Sequence, residues 1–311
     1  MQKLVVIDGN AILHRAYHAL PFLNTKDGNP TNAVYGFFSM LIKVIGDLRP
    51  EYLIVCFDRK APTFRKQMFS GYQSKRPTMS DDLVPQIDVV YKALDRAKIK
   101  HFGIDGYEAD DLIGTISKQA VEKGLEVIIL SGDRDLLQLV NPHVLMLAPV
   151  VGITNMTLFD VNKVKEKYGL NPLQIIDYKA LVGDNSDNYP GVTGIGPKTA
   201  SNLLQKYESL ENLYKNISKL PMPLQQKLAT DAEQAAMAKK LATIVLDAPL
   251  SFEKEEALLS NMDIENLRQE FERLGFNSIQ KRLLDLQPKP IKKEKISKEK
   301  NEKDDNQMSL L

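Results

Sequence analysis

Apolar and polar positions along the chain fall into two textures. In the first half, short unbroken apolar runs at Lys3–Ile7, Tyr52–Phe57 and Glu126–Leu130 are separated by longer stretches with helical spacing. Runs rich in Val, Ile and Leu without alternation are what a parallel strand buried on both faces requires. The run His143–Val150 reads as a further strand. Ala33–Leu48 and Leu83–Lys98 carry apolar residues at helical spacing, and Asp110–Lys123 stops at Gly124 as a helix does before a strand. Strands alternating with helices predict an α/β fold, a mainly parallel sheet flanked by helices.

From about Asn171 the pattern is helical only, punctuated by Pro172, Pro190, Pro197, Pro221, Pro223 and Pro249. A second, helical domain is therefore expected over 171–286, after an α/β domain over 1–170. Beyond it, residues 287–311 lose apolar periodicity and carry seven lysines and five acids, a composition that cannot bury enough surface to fold alone. No internal repeat of solenoid length is present.

Composition narrows the class. With 311 residues, 43% apolar and 26% charged, the chain has room for two globular domains, and fibrous or wholly disordered architectures are excluded. No apolar run approaches the roughly 18–20 residues of a membrane span. The N-terminus meets Asp8 after four apolar residues, short of the roughly 7–15-residue core of a signal peptide, so a cytoplasmic protein is expected. The single cysteine, Cys56, lies inside an apolar run and excludes a disulfide framework or a thiolate metal cage within one chain. The net charge of +1 announces no partner, so the distribution of charge must be read instead.

That distribution is uneven. The three clearest strands end in acids: Asp8 after the first, Asp58 after the second, Asp133 and Asp135 after the third. Glu108, Asp110 and Asp111 open a helix, and Asp184 and Asp187 follow the apolar Ala180-Leu-Val182. The carboxyl ends of strands in an open α/β sheet form its ligand crevice, so separate segments deliver carboxylates to one place. Any one of these acids could be a helix cap. Nine together would repel strongly unless cations lie between them. Oxygen-only donors suit hard divalent ions, Mg²⁺ or Mn²⁺, and two such ions roughly 3.5–4 Å apart suit in-line displacement at phosphorus. His14, His18, His101 and His143 lie in unrelated contexts, which argues against zinc.

Between Arg59 and Arg76 stand six cations and no acid, interleaved with Phe64, Phe69 and Tyr72, the pairing of charge and aromatics that holds single-stranded nucleic acid. Further on, Gly191-Val-Thr-Gly194-Ile-Gly196-Pro197-Lys198-Thr199-Ala200 places glycines before a helix opened by proline, a position where free N–H groups and Lys198 can receive a phosphate.

In this order, Val6-Ile-Asp8-Gly9, Arg15-Ala-Tyr17, Val55-Cys-Phe-Asp58, Tyr107-Glu108-Ala-Asp110-Asp111, Ser131-Gly-Asp133-Arg-Asp135 and Gly183-Asp184-Asn-Ser-Asp187-Asn188 resemble the 5′-nuclease family: the 5′→3′ exonuclease domain of bacterial DNA polymerase I and the related flap endonucleases. The resemblance spans about residues 1–285. It implies a PIN-like core whose nine acids hold two metal ions directly or through water, with Arg15 and Arg65 at the scissile phosphate. It implies a helical gateway over about 59–82, where Lys66, Phe69, Tyr72, Gln73 and Arg76 meet the 5′ strand, and a wedge at Thr31–Phe38 against the duplex. It also implies a helix–hairpin–helix at 191–200 in which Gly194, Gly196, Lys198 and Thr199 grip the backbone through a bound K⁺. The family usually reads Tyr-Lys in the gateway; this chain reads Tyr72-Gln73, and Lys75 is the cation placed to serve instead. Asn32 stands where relatives often carry glycine.

The implied function is 5′→3′ exonuclease and 5′-flap endonuclease action on nicked or flapped DNA, or on RNA–DNA primers, in replication and repair, by a monomer associated with the nucleoid. Gln307, Leu310 and Leu311, at the end of a Lys-rich tether, resemble the bacterial sliding-clamp-binding peptide. Rival readings are a toxin-type ribonuclease, generally shorter and without the glycine hairpin, a catalytically weak junction binder, and an N-terminal fragment of a polymerase.

Overall fold

The computed structural model describes residues 1–286; the tail at 287–311, including Gln307, Leu310 and Leu311, lies outside the described residues. Six strands form the main sheet: β1 (Lys3–Asp8), β2 (Tyr52–Cys56), β3 (His101–Phe102), β4 (Glu126–Leu130), β5 (Val144–Val151) and β6 (Asn155–Phe159). Their order is β3-β2-β1-β4-β5-β6, parallel throughout except for the antiparallel pair β5/β6. The mainly parallel α/β sheet expected from the apolar runs is thus observed. Two strands escaped the sequence pattern: β3 has only two residues, and β6 is a half-exposed edge strand with Asn155 and Thr157 among its five.

The unbroken apolar runs follow from burial on both faces. Val5 and Ile7 of β1 point to one side, where they meet Phe37, Phe38 and Leu41 of the helix Asn32–Leu48. Leu4 and Val6 point to the other and meet Leu112, Ile113 and Ile116 of the helix Ala109–Glu122. Strand periodicity of two places alternate residues in separate cores. The chain winds from β1 out to β2 and β3, then crosses back to β4 and β5 on β1's other side, which opens a crevice between the carboxyl ends of β1 and β4.

The helical part has its own core, built on Leu181, Val192, Ile195, Leu203, Leu204 and Leu213. It is not helical only: β7 (Gly183–Asp184) and β8 (Tyr189–Pro190) form a small antiparallel pair. A Cβ on Gly183, whose φ is +77°, would meet the Gly191 amide nitrogen at 2.4 Å, and one on Gly191 would meet the Gly183 nitrogen at 2.3 Å. Only two glycines allow the strands to close around the loop that carries Asp184 and Asp187.

Part of the segment 171–286 returns to the cores of the sheet. Ile244, Ala248 and Phe252 join the core beneath β1 and β2 on one face, while Leu267, Phe271, Ile279 and Leu283 join the core on the other. The helices Ile264–Arg273 and Asn277–Leu284 are strongly amphipathic, and their apolar stripes find cover against the first domain instead of the second. Among the described residues no helix is long and apolar enough to cross a membrane.

Phe271 is fully buried beside Phe38, their rings 5.2 Å apart. Phe271→Ala is expected to destabilise the α/β domain by about 3–5 kcal/mol, read as a lowered urea midpoint; an unchanged midpoint would show that this C-terminal return is dispensable.

Candidate metal centre

The parallel register brings the acids together. Asp8 pairs with Cys56, two residues before Asp58, and Ile7 pairs with Leu130, so that Asp8, Asp58 and the Ser131–Asp135 turn leave the sheet on the same edge. Asp8 also caps the following helix, its Oδ1 accepting from the Ala11 amide at 2.9 Å, while its Oδ2 accepts from Ser131 Oγ at 2.6 Å. The Asp58 carboxylate accepts from the Ala109 amide at 2.7 Å, which ties the Glu108–Asp111 helix start to the edge of β2. The Asp135 amide donates to Asp133 Oδ1 at 2.9 Å. Capping is therefore real for these acids, but it uses single oxygens and leaves the crowding in place.

The crowding shows in their proton affinities. Burial, reinforced by Asp58 and Asp133, pushes Asp8 up to about 7. Burial and Asp133 do the same for Asp135, and Glu108 also rises to about 7, burial outweighing the Arg65 charge. Asp58, Asp110 and Asp133 are raised as well, each by desolvation first and neighbouring carboxylates after it. Among the described residues, Asp8, Asp58, Asp110 and Asp133 have no lysine or arginine in ion-pair contact.

A second group lies where the small β7/β8 pair meets the edge. Asp135, Asp184 and Asp187 each offer an oxygen within 4.8 Å of the others. Lys179, from the helix Gln174–Val182, reaches Asp135 Oδ1 at 2.5 Å and also contacts Asp184. Burial alone would raise Asp184, but Lys179 and the Ser186 hydroxyl hold it below the usual carboxylate range. Arg76 Nη2 lies 2.5 Å from Asp187. The donor set is oxygen only, partly dehydrated and negative, which fits a divalent cation of the hard class.

Against this geometry, residues 3–169 match the family model described as 5'-3' exonuclease, N-terminal resolvase-like domain, and residues 170–265 match 5'-3' exonuclease, C-terminal SAM fold. The chain belongs to the 5'-3' exonuclease family. A relative named 5'-3' exonuclease from Aquifex aeolicus is 39% identical over 281 residues, 90% of this chain and 95% of the relative. DNA polymerase I of Caldicellulosiruptor bescii is 42% identical over 283 residues, 90% of this chain but 33% of the relative. The chain spans about a third of the length of the polymerase relatives it matches. The fold is shared with a solved T5 5'-exonuclease carrying bound zinc, at a TM-score of 0.66 and 19% identity, with 92% of this chain and 98% of that one covered. The family and fold expected from the acidic motifs are those found.

Several residues expected at DNA or at metals are placed elsewhere. Arg65 is 2% exposed and forms a two-pronged pair with Asp111, at 2.7 and 2.8 Å, where a phosphate contact and a metal ligand were expected. Its remaining donors reach Glu108 and the carbonyls of Leu241 and Thr243. Asp111, fully buried, is thus satisfied by a guanidinium. Tyr72 is buried too, stacked on Tyr189 and packed with Leu241, Ala242 and the half-buried Phe69, and its hydroxyl lies 3.1 Å from both Glu108 and Asp187. These two aromatics fill a seam between the domains instead of standing open to stack on bases. Thr31 is buried, its hydroxyl donating to the Leu23 carbonyl, and the helix behind it lies in the core, so Thr31–Phe38 presents no open wedge.

Other expected residues are accessible. Lys66 and Lys75 are exposed, and Gln73 is half-buried at a φ of +53°, its amide donating to the Asp187 carbonyl at 2.7 Å. Arg15 donates to the carbonyls of Val150 and Gly152, at the tip of the hairpin that β5 carries past the end of β4. In the glycine hairpin, Gly194 has a φ of +74°, Gly196 precedes the helix Pro197–Tyr207, and Lys198 is exposed with Thr199 half-buried. Lys227 Nζ donates to the Gly194 carbonyl and Asp231 accepts from the Thr193 amide, occupying two of its backbone groups. Sequence reading missed Ser131, Thr63, Asn10 and Lys179, which orient or pair with the acids. Lys179 offered only a basic residue in the last turn of a helix, a position the helix dipole favours anyway.

Removing the guanidinium would strand Asp111 in the interior. Arg65→Ala is expected to cost about 3–5 kcal/mol in chemical unfolding, and Arg65→Lys, which cannot form the fork, should recover only part of it. An Arg65→Ala protein of unchanged stability would return Arg65 to a purely DNA-facing role.

The raised carboxyls bind more protons folded than unfolded between about 4 and 7, so folded-state stability is lost as pH rises through that window. In EDTA, the unfolding temperature is expected to fall from about pH 5 to about pH 8. A value that climbs through the same window contradicts the raised proton affinities.

Proposed function

We propose that this chain hydrolyses DNA phosphodiesters as a 5′→3′ exonuclease and 5′-flap endonuclease, using two divalent ions, Mg²⁺ or Mn²⁺. One observation carries the reading: acids from five chain segments meet at one edge of the sheet, and among the described residues Asp8, Asp58, Asp110 and Asp133 make no ion pair with a lysine or arginine. A buried negative cluster of that kind is electrostatically unfavourable unless it holds cations.

Asp8, Asp58, Asp110 and Asp133 would hold one ion, and Asp135, Asp184 and Asp187 the other. When bound, the ions supply charge stabilisation and water activation at phosphorus. The chain's own part is placement. Ser131 and the Ala11 amide orient the two oxygens of Asp8, and the Ala109 amide orients Asp58. Arg76 and Lys75, both exposed, are the cations assigned to the substrate phosphate, Lys75 taking the part that Gln73 cannot. The first-turn amides of the helix Pro197–Tyr207, with Lys198 beside them, suit a duplex phosphate away from the cut, with K⁺ as a further ion there. Names of relatives that include a DNA polymerase support a place in replication and repair, in the cytoplasm.

A 5′-labelled double-flap DNA tests this directly. Cleavage near the junction is expected with Mg²⁺ and not with EDTA, and Asp133→Ala should slow it by on the order of 100-fold or more, the scale of losing one electrostatic stabiliser. DNA bound but uncut in both Mg²⁺ and Mn²⁺ would leave a junction-binding protein.

A further inference from the structure

Apart from Glu108 and Asp111, which pair with Arg65, the acids at the sheet edge divide into two electrostatic classes. Asp8, Asp58, Asp110 and Asp133 face one another with no cation in contact among the described residues, whereas every member of the Asp135/Asp184/Asp187 triad already has one. We propose that the Lys179 ammonium is a tethered counter-ion that holds the place of a divalent cation in this triad, and that an ion enters there by displacing it. The inference rests on the two-ion reading above and adds a competitor for its second position.

Three observations point to place-holding. Lys179 is in the last turn of the helix that runs directly into Gly183 and Asp184, so its ammonium is delivered to the triad by the backbone that builds it. Its side chain is 17% exposed, and it touches two of the three carboxylates at once. Its two carboxylate partners come from different segments, Asp135 from the turn after β4 and Asp184 from β7, so one ammonium offsets charge that two separate parts of the chain bring together.

Charge and size then set the competition. One ammonium, with Arg76 on Asp187, leaves three carboxylates short of neutrality, so the triad still attracts a divalent ion. An ammonium and a metal cannot share the same oxygens, since an ion coordinated at about 2.1 Å would repel a positive charge on the same atoms. Ion entry must therefore move the Lys179 head, and the four-carbon stem of lysine permits that without moving the helix. Arg76 yields more easily, being nearly half exposed. The two positions thus fill unequally: the group with no ion pair among the described residues first, the triad only after Lys179 leaves.

Mn²⁺ is the probe, with free ion counted by electron paramagnetic resonance during titration of the full chain. The unaltered protein is expected to show one tight and one weak binding phase. In Lys179→Met the weak phase should tighten by roughly tenfold or more while the tight phase stays put; Lys179→Arg, which keeps the charge, should leave it weak. A weak phase unchanged or weakened in Lys179→Met overturns the proposal and makes Lys179 a residue that positions the acids. Absence of both phases in the unaltered protein overturns the two-ion reading itself, and this proposal with it. Should Lys179→Met not fold, the unaltered protein decides: acetylation of Lys179, followed by peptide mass spectrometry, should accelerate as Mn²⁺ fills the weak phase, and a rate that is constant or falls overturns the proposal.

Discussion

Mutual repulsion among carboxylates held out of water is the constraint around which this molecule is arranged. A parallel sheet delivers Asp8, Asp58 and the Asp133–Asp135 turn to one edge because strands in register must end together. The crossover helix adds Glu108, Asp110 and Asp111 at its first turn, and the β7/β8 pair adds Asp184 and Asp187. Each segment is locally well formed, with caps and turn glycines in place. The difficulty arises only when they meet, since no local interaction removes the charge.

The protein meets that charge by three routes, and they divide the site. Arg65 neutralises Asp111 so fully that the pair functions as structure, a fork buried where the segment around Arg65, the crossover helix and the C-terminal end of the helix Ala232–Ala242 meet. Lys179 and Arg76 neutralise the triad in part. Among the described residues Asp8, Asp110 and Asp133 make no ion pair, and their affinity for protons rises. The three outcomes grade the acids from permanently satisfied to open for a metal.

These contacts also join the domains. Tyr72 lies between Glu108 of the α/β part and Asp187 of the helical part, with only one hydroxyl proton for two carboxylates 3.1 Å away, and Asn188 donates to the Gly71 carbonyl. The segment around Tyr72 is thus fastened to both parts of the chain by acids of the site. Charge at the site and the placement of the segment around Tyr72 are consequently one problem.

Much of this was legible in the linear chain because it is local. Apolar runs long enough for a doubly buried strand, acids immediately after them, Gly124 closing a helix and Pro197 opening one require only neighbouring residues, and each is found as read. Motif order was enough for the family as well. Residue roles within the site were not legible at that level. That Arg65 would be consumed by Asp111, that Tyr72 and Thr31 would be buried, and that Leu267–Leu283 would return to the first core are set by contacts between segments tens to hundreds of residues apart. A sequence shows that a cation is present; which carboxylate it neutralises depends on distances of a few ångströms that only the packed chain creates.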